Sequence, residues 1–151
     1  RTDYIKRVIG LPGDTIQFLN EELYLNNKKV TRTPVSIATA INCGNDDIIY
    51  EAYQETLPNN KKYTAVYRKS GTMITSDKFT VPENHYFFLG DNRDCSKDSR
   101  FLSSVGYVHK DNLVGKAQIL FFSSNPRKGS IFNIFKWNEI VRFERFFNKI
   151  I

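Results

Sequence analysis

Long apolar runs are missing from this sequence. None approaches the roughly 18 residues that a membrane-spanning helix needs, and no secretory leader opens the chain. Histidine is scarce: His85 and His109 are far apart and share no paired-ligand spacing, which argues against a zinc site. Asp91 does not start a calcium loop, because its sixth position is Ser96 rather than Gly and its twelfth is Leu102 rather than Glu. No glycine-rich phosphate loop and no Gly-x-Ser-x-Gly elbow occurs. Lys69-Ser70-Gly71 lacks an accompanying Ser-x-x-Lys or Ser-Asp-Asn and reads as a turn. No metal or cofactor is therefore expected. The two cysteines, Cys43 and Cys95, have no C-x-x-C spacing, so two free thiols are the favoured reading and the redox compartment is left open. The only methionine is Met73, which suggests a piece of a longer protein.

What is present suits one globular domain with an insertion. The 151 residues are long enough to bury a core, and 40% are hydrophobic. The formal charge is +6. It can serve solubility, an anionic membrane surface or nucleic acid. For nucleic acid the motifs are lacking: there is no aromatic RNP-type run, zinc-finger spacing or densely basic helix. Charge of both signs is densest in Gly90-Asp91-Asn92-Arg93-Asp94-Cys95-Ser96-Lys97-Asp98-Ser99-Arg100, directly behind the apolar run Tyr86–Leu89. Charges placed there must be paired or hydrogen-bonded, or they cost several kcal/mol. The segment is either a structural ion-pair knot or the wall of an active site.

In chain order, residues 4–10 read as a strand, with Tyr4, Lys6 and Val8 on one face. A lysine there either guards an edge or is desolvated enough to act as a neutral base. Leu11-Pro12-Gly13-Asp14 is a turn. Thr15–Phe18 and Leu23–Val30 read as strands, followed by Ile48–Glu55, Tyr63–Arg68, Phe79–Pro82, Tyr86–Leu89 and Gly106–His109. Val114–Phe122 reads as a strand too, and its apolar stretch from Ala117 suggests a central one. Residues 33–80 are expected to form an inserted cap between 1–32 and 81–151. Ile140, Phe143, Phe147 and Ile150 recur at helical spacing and suggest a short carboxy-terminal helix. The docked helix competes there with a basic, aromatic surface for a membrane. With the metal and elbow chemistries set aside, a lysine on a strand and a serine in a charged loop remain, Lys6 and Ser96. A neutral lysine can replace histidine as the base for a serine nucleophile.

Two segments together carry a resemblance. Tyr4-Ile5-Lys6-Arg7-Val8-Ile9-Gly10-Leu11-Pro12-Gly13-Asp14 resembles the lysine box of bacterial type I signal peptidases, and Gly90–Arg100 resembles their last box, with every fixed position filled. Glu55–Asn59, Val81–Phe87 and Asn112–Ala117 are more weakly similar. The resemblance implies a mostly β fold of antiparallel sheets or a partly open barrel. It implies a serine endopeptidase with a Ser/Lys dyad, anchored in the bacterial cytoplasmic membrane and facing its outer side. Such an enzyme cuts signal peptides from exported preproteins after small residues. By this resemblance Lys6 is the general base and Ser96, on the Gly90 loop, orients it. Asp3, Tyr4 and Ile5 line the bound peptide. Asp98 with Arg100 and Asp91 with Arg7 are ion pairs, and Arg93 belongs to the same scaffold. Phe132, Phe135 and Trp137 become candidates for contact with the membrane.

One departure bears on activity. The family's nucleophilic serine and oxyanion donors precede the lysine box, and no serine precedes Lys6 here, so the 151 residues alone are expected to be inactive. Two other classes remain: a self-cleaving serine–lysine protease of the repressor type, and a non-enzymatic binding module on the same fold.

Overall fold

A computed structural model describes residues 3–36, 50–69, 74–125 and 128–150. The chain divides into two compact units, 1–114 and 115–151. It is mostly β with antiparallel sheets and one short carboxy-terminal helix, as the sequence suggests.

The first unit holds three sheets. One has the order β1 (Arg7–Gly10), β9 (His85–Leu89), β10 (Val108–His109). The second runs β4 (Lys28–Lys29), β3 (Glu22–Leu25), β2 (Thr15–Leu19), β8 (Phe79–Thr80), and the third β5 (Thr31–Val35), β6 (Tyr50–Thr56), β7 (Lys62–Arg68). Period-two alternation is clear in β2 and β3, where Ile16, Phe18, Leu23 and Leu25 face inward. The expected strand Leu23–Val30 is two strands: Asn26 and Asn27 both take positive φ, at 52° and 60°, and turn the chain back in a tight hairpin. The Leu11–Asp14 turn closes with the Asp14 amide donating to the Leu11 carbonyl at 3.0 Å and Gly13 at φ 84°.

One apolar cluster joins all three sheets. It includes Ile9, Ile16, Phe18, Leu57, Tyr63, Ala65, Phe79, Phe87 and Leu89. Residues of the expected cap, 33–80, therefore share a core with β1 and β9. The turn expected at Lys69-Ser70-Gly71 and the loop expected around Cys43 fall largely outside the described residues.

The second unit overturns two expectations. Residues 114–122 are not a central strand. Among the described residues they belong to no strand: they meet residues 147–150 through an isolated bridge from Ile119 to Lys149 and backbone hydrogen bonds at Gln118 and Leu120, and Val114, Ile119 and Phe121 are exposed. An apolar run signals burial only if a partner surface exists, and here it lies open. The helical periodicity of 140–150 does not yield a helix either: α1 is Trp137–Ile140, four residues. Val141 leaves it in an extended conformation, bridges Ser124, and is followed by a single 3-10 turn; Phe147 takes φ 59°. Aromatic and β-branched residues are poor helix formers, so the pattern had little propensity behind it.

Candidate active site

The first strand of the β1–β9–β10 sheet begins at Arg7, three residues later than the strand expected over residues 4–10, since residues 3–6 lie outside any strand. Period-two alternation therefore does not set the direction of Lys6. Its half-buried side chain instead donates from Nζ to Ser96 Oγ at 2.6 Å. Ser96 follows a 3-10 turn, Arg93–Cys95, that leaves the end of β9. Tyr4 and Ile5 are mostly exposed, and Asp3 is exposed as well.

Gly90 makes this contact possible. A Cβ on it would lie 2.1 Å from Ser96 Oγ and 3.3 Å from Lys6 Nζ. No side chain fits there, so a glycine at the end of β9 lets the loop fold back against the strand. Ser99 and Asp98 then fasten the loop to β9. The Phe88 amide donates to Ser99 Oγ at 2.9 Å, and the Gly90 amide donates to Asp98 Oδ2 at 2.9 Å. Both acceptors are fully buried.

Three ion pairs surround the contact. Arg100 reaches Asp98 through Nε at 2.8 Å and Nη2 at 2.9 Å. Burial alone would raise the Asp98 carboxyl, but the Arg100 guanidinium and the Gly90 amide outweigh it and hold the group below the usual carboxylate range. The same Arg100 Nη2 donates to the Arg93 carbonyl, fixing the turn from behind. Arg7 binds Asp91 with two bonds, 2.7 and 2.9 Å, at a more exposed position. The third pair was not visible in the sequence. Arg93 donates to Glu55 at 2.6 Å, and both are 1% exposed.

Two phenols complete that third pair. Tyr63 donates to Glu55 at 2.6 Å, and Tyr67 also donates to Glu55. Arg93 in turn donates to Tyr67 at 2.8 Å and to Tyr63 at 3.1 Å. Burial pushes both phenols up; Arg93 opposes that and the Glu55 carboxylate reinforces it. Desolvation lowers the Arg93 guanidinium, but Glu55 more than compensates and the group is held firmly charged. One signal could have found this cluster: Tyr63 and Tyr67 share a face of one strand, and Glu55 lies opposite Tyr63 on the neighbouring strand.

Cys95 corrects an expectation. It is disulfide-bonded rather than a free thiol. The hydroxyl of Tyr50, seven residues beyond Cys43 in sequence, lies 3.4 Å from its sulfur. Cys43 itself lies outside the described residues. Among the described residues, no group of three or more His, Cys, Asp or Glu could hold a metal ion, and no helix is long and apolar enough to cross a membrane. Phe132 and Phe135 are 88% and 91% exposed; Trp137 is 43% exposed and donates from its indole to the Ile131 carbonyl.

A half-buried lysine amine on a buried serine, backed by paired charges, can hold and pass a proton. A family signature described as "Signal peptidase, peptidase S26" matches residues 1–122. Signal peptidase I of Rickettsia typhi is 42% identical over 97% of this chain and 59% of that protein. The enzyme of Rickettsia prowazekii matches to the same extent, so the chain spans about three-fifths of the length of these curated relatives. A crystal structure of a signal peptidase I from Enterococcus faecalis is 28% identical and covers 73% of this chain and 78% of that one; its TM-score, 0.37, is too low to bear on the architecture.

Proposed function

This chain belongs to the signal peptidase family, peptidase S26, and from that membership we propose that it is the catalytic β domain of a serine endopeptidase that removes signal peptides from exported preproteins. The observation that carries the reading is the 2.6 Å bond from Lys6 Nζ to Ser96 Oγ. In this reading Lys6 is the general base. Its neutral amine takes the proton from a serine hydroxyl as that oxygen attacks the scissile carbonyl. Lys6 then gives the proton to the departing amine.

Ser96 is the orienting partner rather than the attacking group. It is 9% exposed and sits behind the lysine, under Gly90. A nucleophile has to meet the substrate, and by the family resemblance the attacking serine precedes the lysine box, where the 151 residues hold none. Asp3-Tyr4-Ile5 leads towards β1, which lies at the edge of its sheet. A peptide can add there as a further strand, its small side chains set against Ile5. The domain works at the bacterial cytoplasmic membrane, on its outer side. Phe132, Phe135 and Trp137, exposed within a basic unit, are the contacts with that membrane. Their replacement by Ser abolishes liposome binding; unchanged binding refutes the contact.

The test is cleavage of a synthetic signal-peptide substrate. The 151-residue chain alone leaves the peptide intact, whereas a longer form with the relatives' additional segment cuts it. In that longer form Lys6→Arg folds but is dead, because arginine cannot serve as a neutral base near pH 7. Cleavage by the Lys6→Arg form overturns the dyad. Ser96→Ala slows the longer form without abolishing turnover, which separates an orienting serine from an attacking one.

A further inference from the structure

Lys6 stands just before β1, so the pairing of Arg7, Val8 and Gly10 with β9 stops one residue short of it. The side chain of its neighbour Arg7 is held as well. The Arg7 guanidinium is held on one side by two bonds to Asp91, and its Cζ lies over the ring of Tyr63, 4.1 Å from the centroid. The Asp91 side of this clamp is 46% exposed, where solvent screens even a two-bond ion pair. The Tyr63 side is 5% exposed, where a cation–π contact gains from desolvation. Tyr63 is itself immobilised, because its hydroxyl donates to the buried Glu55. The same Glu55 oxygen accepts from Arg93, the first residue of the turn that delivers Ser96.

We propose that Tyr63 and Glu55 are positioning residues for the Lys6–Ser96 contact. The Tyr63 ring seats Arg7, and with it Lys6. Through Glu55 and Arg93 the same phenol registers that seat against the turn bearing Ser96. The β6–β7 hairpin is thereby the common reference for both partners, which lie 90 residues apart in sequence. The inference rests on the reading of Lys6 as general base, and it adds two residues that touch neither substrate nor reacting atom.

The first readout is the NMR order parameter of the Lys6 Cε methylene in the 151-residue chain. It is high in the parent protein. Tyr63→Leu drops it to the level of exposed lysines such as Lys97. Tyr63→Phe keeps the ring and retains most of the order. Leu23→Ala, a core change away from the clamp with its own loss of melting temperature, leaves Lys6 ordered. Arg7→Met and Asp91→Asn form a second comparison that does not need the Leu variant to fold. Both release the carboxylate bonds, but only Arg7→Met empties the stack, and it loosens Lys6 more. Unchanged order in Tyr63→Leu, equal loosening by Leu23→Ala, or equal effects of Arg7→Met and Asp91→Asn overturns the proposal. In the longer, cleaving form Tyr63→Leu lowers kcat on the order of 10-fold or more with KM unchanged, as misplaced catalytic groups do, and Tyr63→Phe restores it. If Lys6→Arg is dead and Tyr63→Leu is not slowed, positioning fails and the dyad stands. If Lys6→Arg still cleaves, the dyad itself fails.

Discussion

Residues 90–100 and residues 115–151 invert the usual placement of side chains. In the first segment Arg93, Asp98 and Ser99 are buried and Arg100 nearly so, every charge among them paired. In the second, Phe121, Phe132, Phe135, Phe143 and Phe147 stand exposed. That second segment also carries seven Lys and Arg against two Glu, a net +5 of the chain's +6. Burying charge is costly and exposing aromatic rings forgoes a large apolar gain. The first segment uses its cost to hold the Lys6–Ser96 contact in register. The second keeps apolar and basic groups together at the surface, where they can meet an anionic, apolar phase.

Four experiments break or sharpen this contrast. The largest effect is expected from Arg93→Met, which strands Glu55 at 1% exposure. Removing one member of a buried pair costs roughly 3–5 kcal/mol, read as a large drop in the denaturant midpoint. A loss below about 1 kcal/mol would put this pair in the class of surface bridges.

Asp98→Asn comes next, because the effect depends on pH. The folded-state pKa of Asp98 is depressed, so its ionised form adds stability above the unfolded value of about 3.9 and loses it as pH falls through the lower folded value. The stability gap between parent and variant is therefore full at neutral pH and narrows as pH drops below about 4. A gap that stays constant into acid removes this carboxylate from the account.

Gly90→Ala should cost about 1–3 kcal/mol by overpacking. The added methyl also pushes Ser96 away, which an altered Lys6 resonance will report. The smallest effect on stability belongs to Phe132→Ser with Phe135→Ser. Exposed positions change folding by about 0.5 kcal/mol or less, and a larger destabilisation would mean the rings pack rather than wait for a partner.

Much of the first unit was legible in the sequence because its signals are local. The Leu11–Asp14 turn and the strand from Thr15 depend on residues within a few positions of one another, whereas the Asn26-Asn27 turn inside Leu23–Val30 was not legible because its cue is two asparagines without a glycine. The 90–100 segment announced itself through charge density, and the structure brings Lys6 to Ser96, Arg7 to Asp91 and Arg100 to Asp98. The Glu55–Arg93 pair was hidden because its cue, Glu55 opposite Tyr63 on neighbouring strands, exists only once the strand register is known. The tail misled for another reason. Apolar spacing is the same for a helix packed on a core and for rings turned outward, and only a covering surface distinguishes them.

The two phenols under Glu55 give the molecule an optical gauge. Their protons are retained in the folded state well beyond the ordinary tyrosine range. A raised folded pKa stabilises the fold below the unfolded value of about 10 and withdraws that support as alkali is added. Tyr63 and Tyr67 then deprotonate only as the hairpin opens, so in a base titration the last tyrosinate absorbance and the loss of tertiary signal should rise as one event.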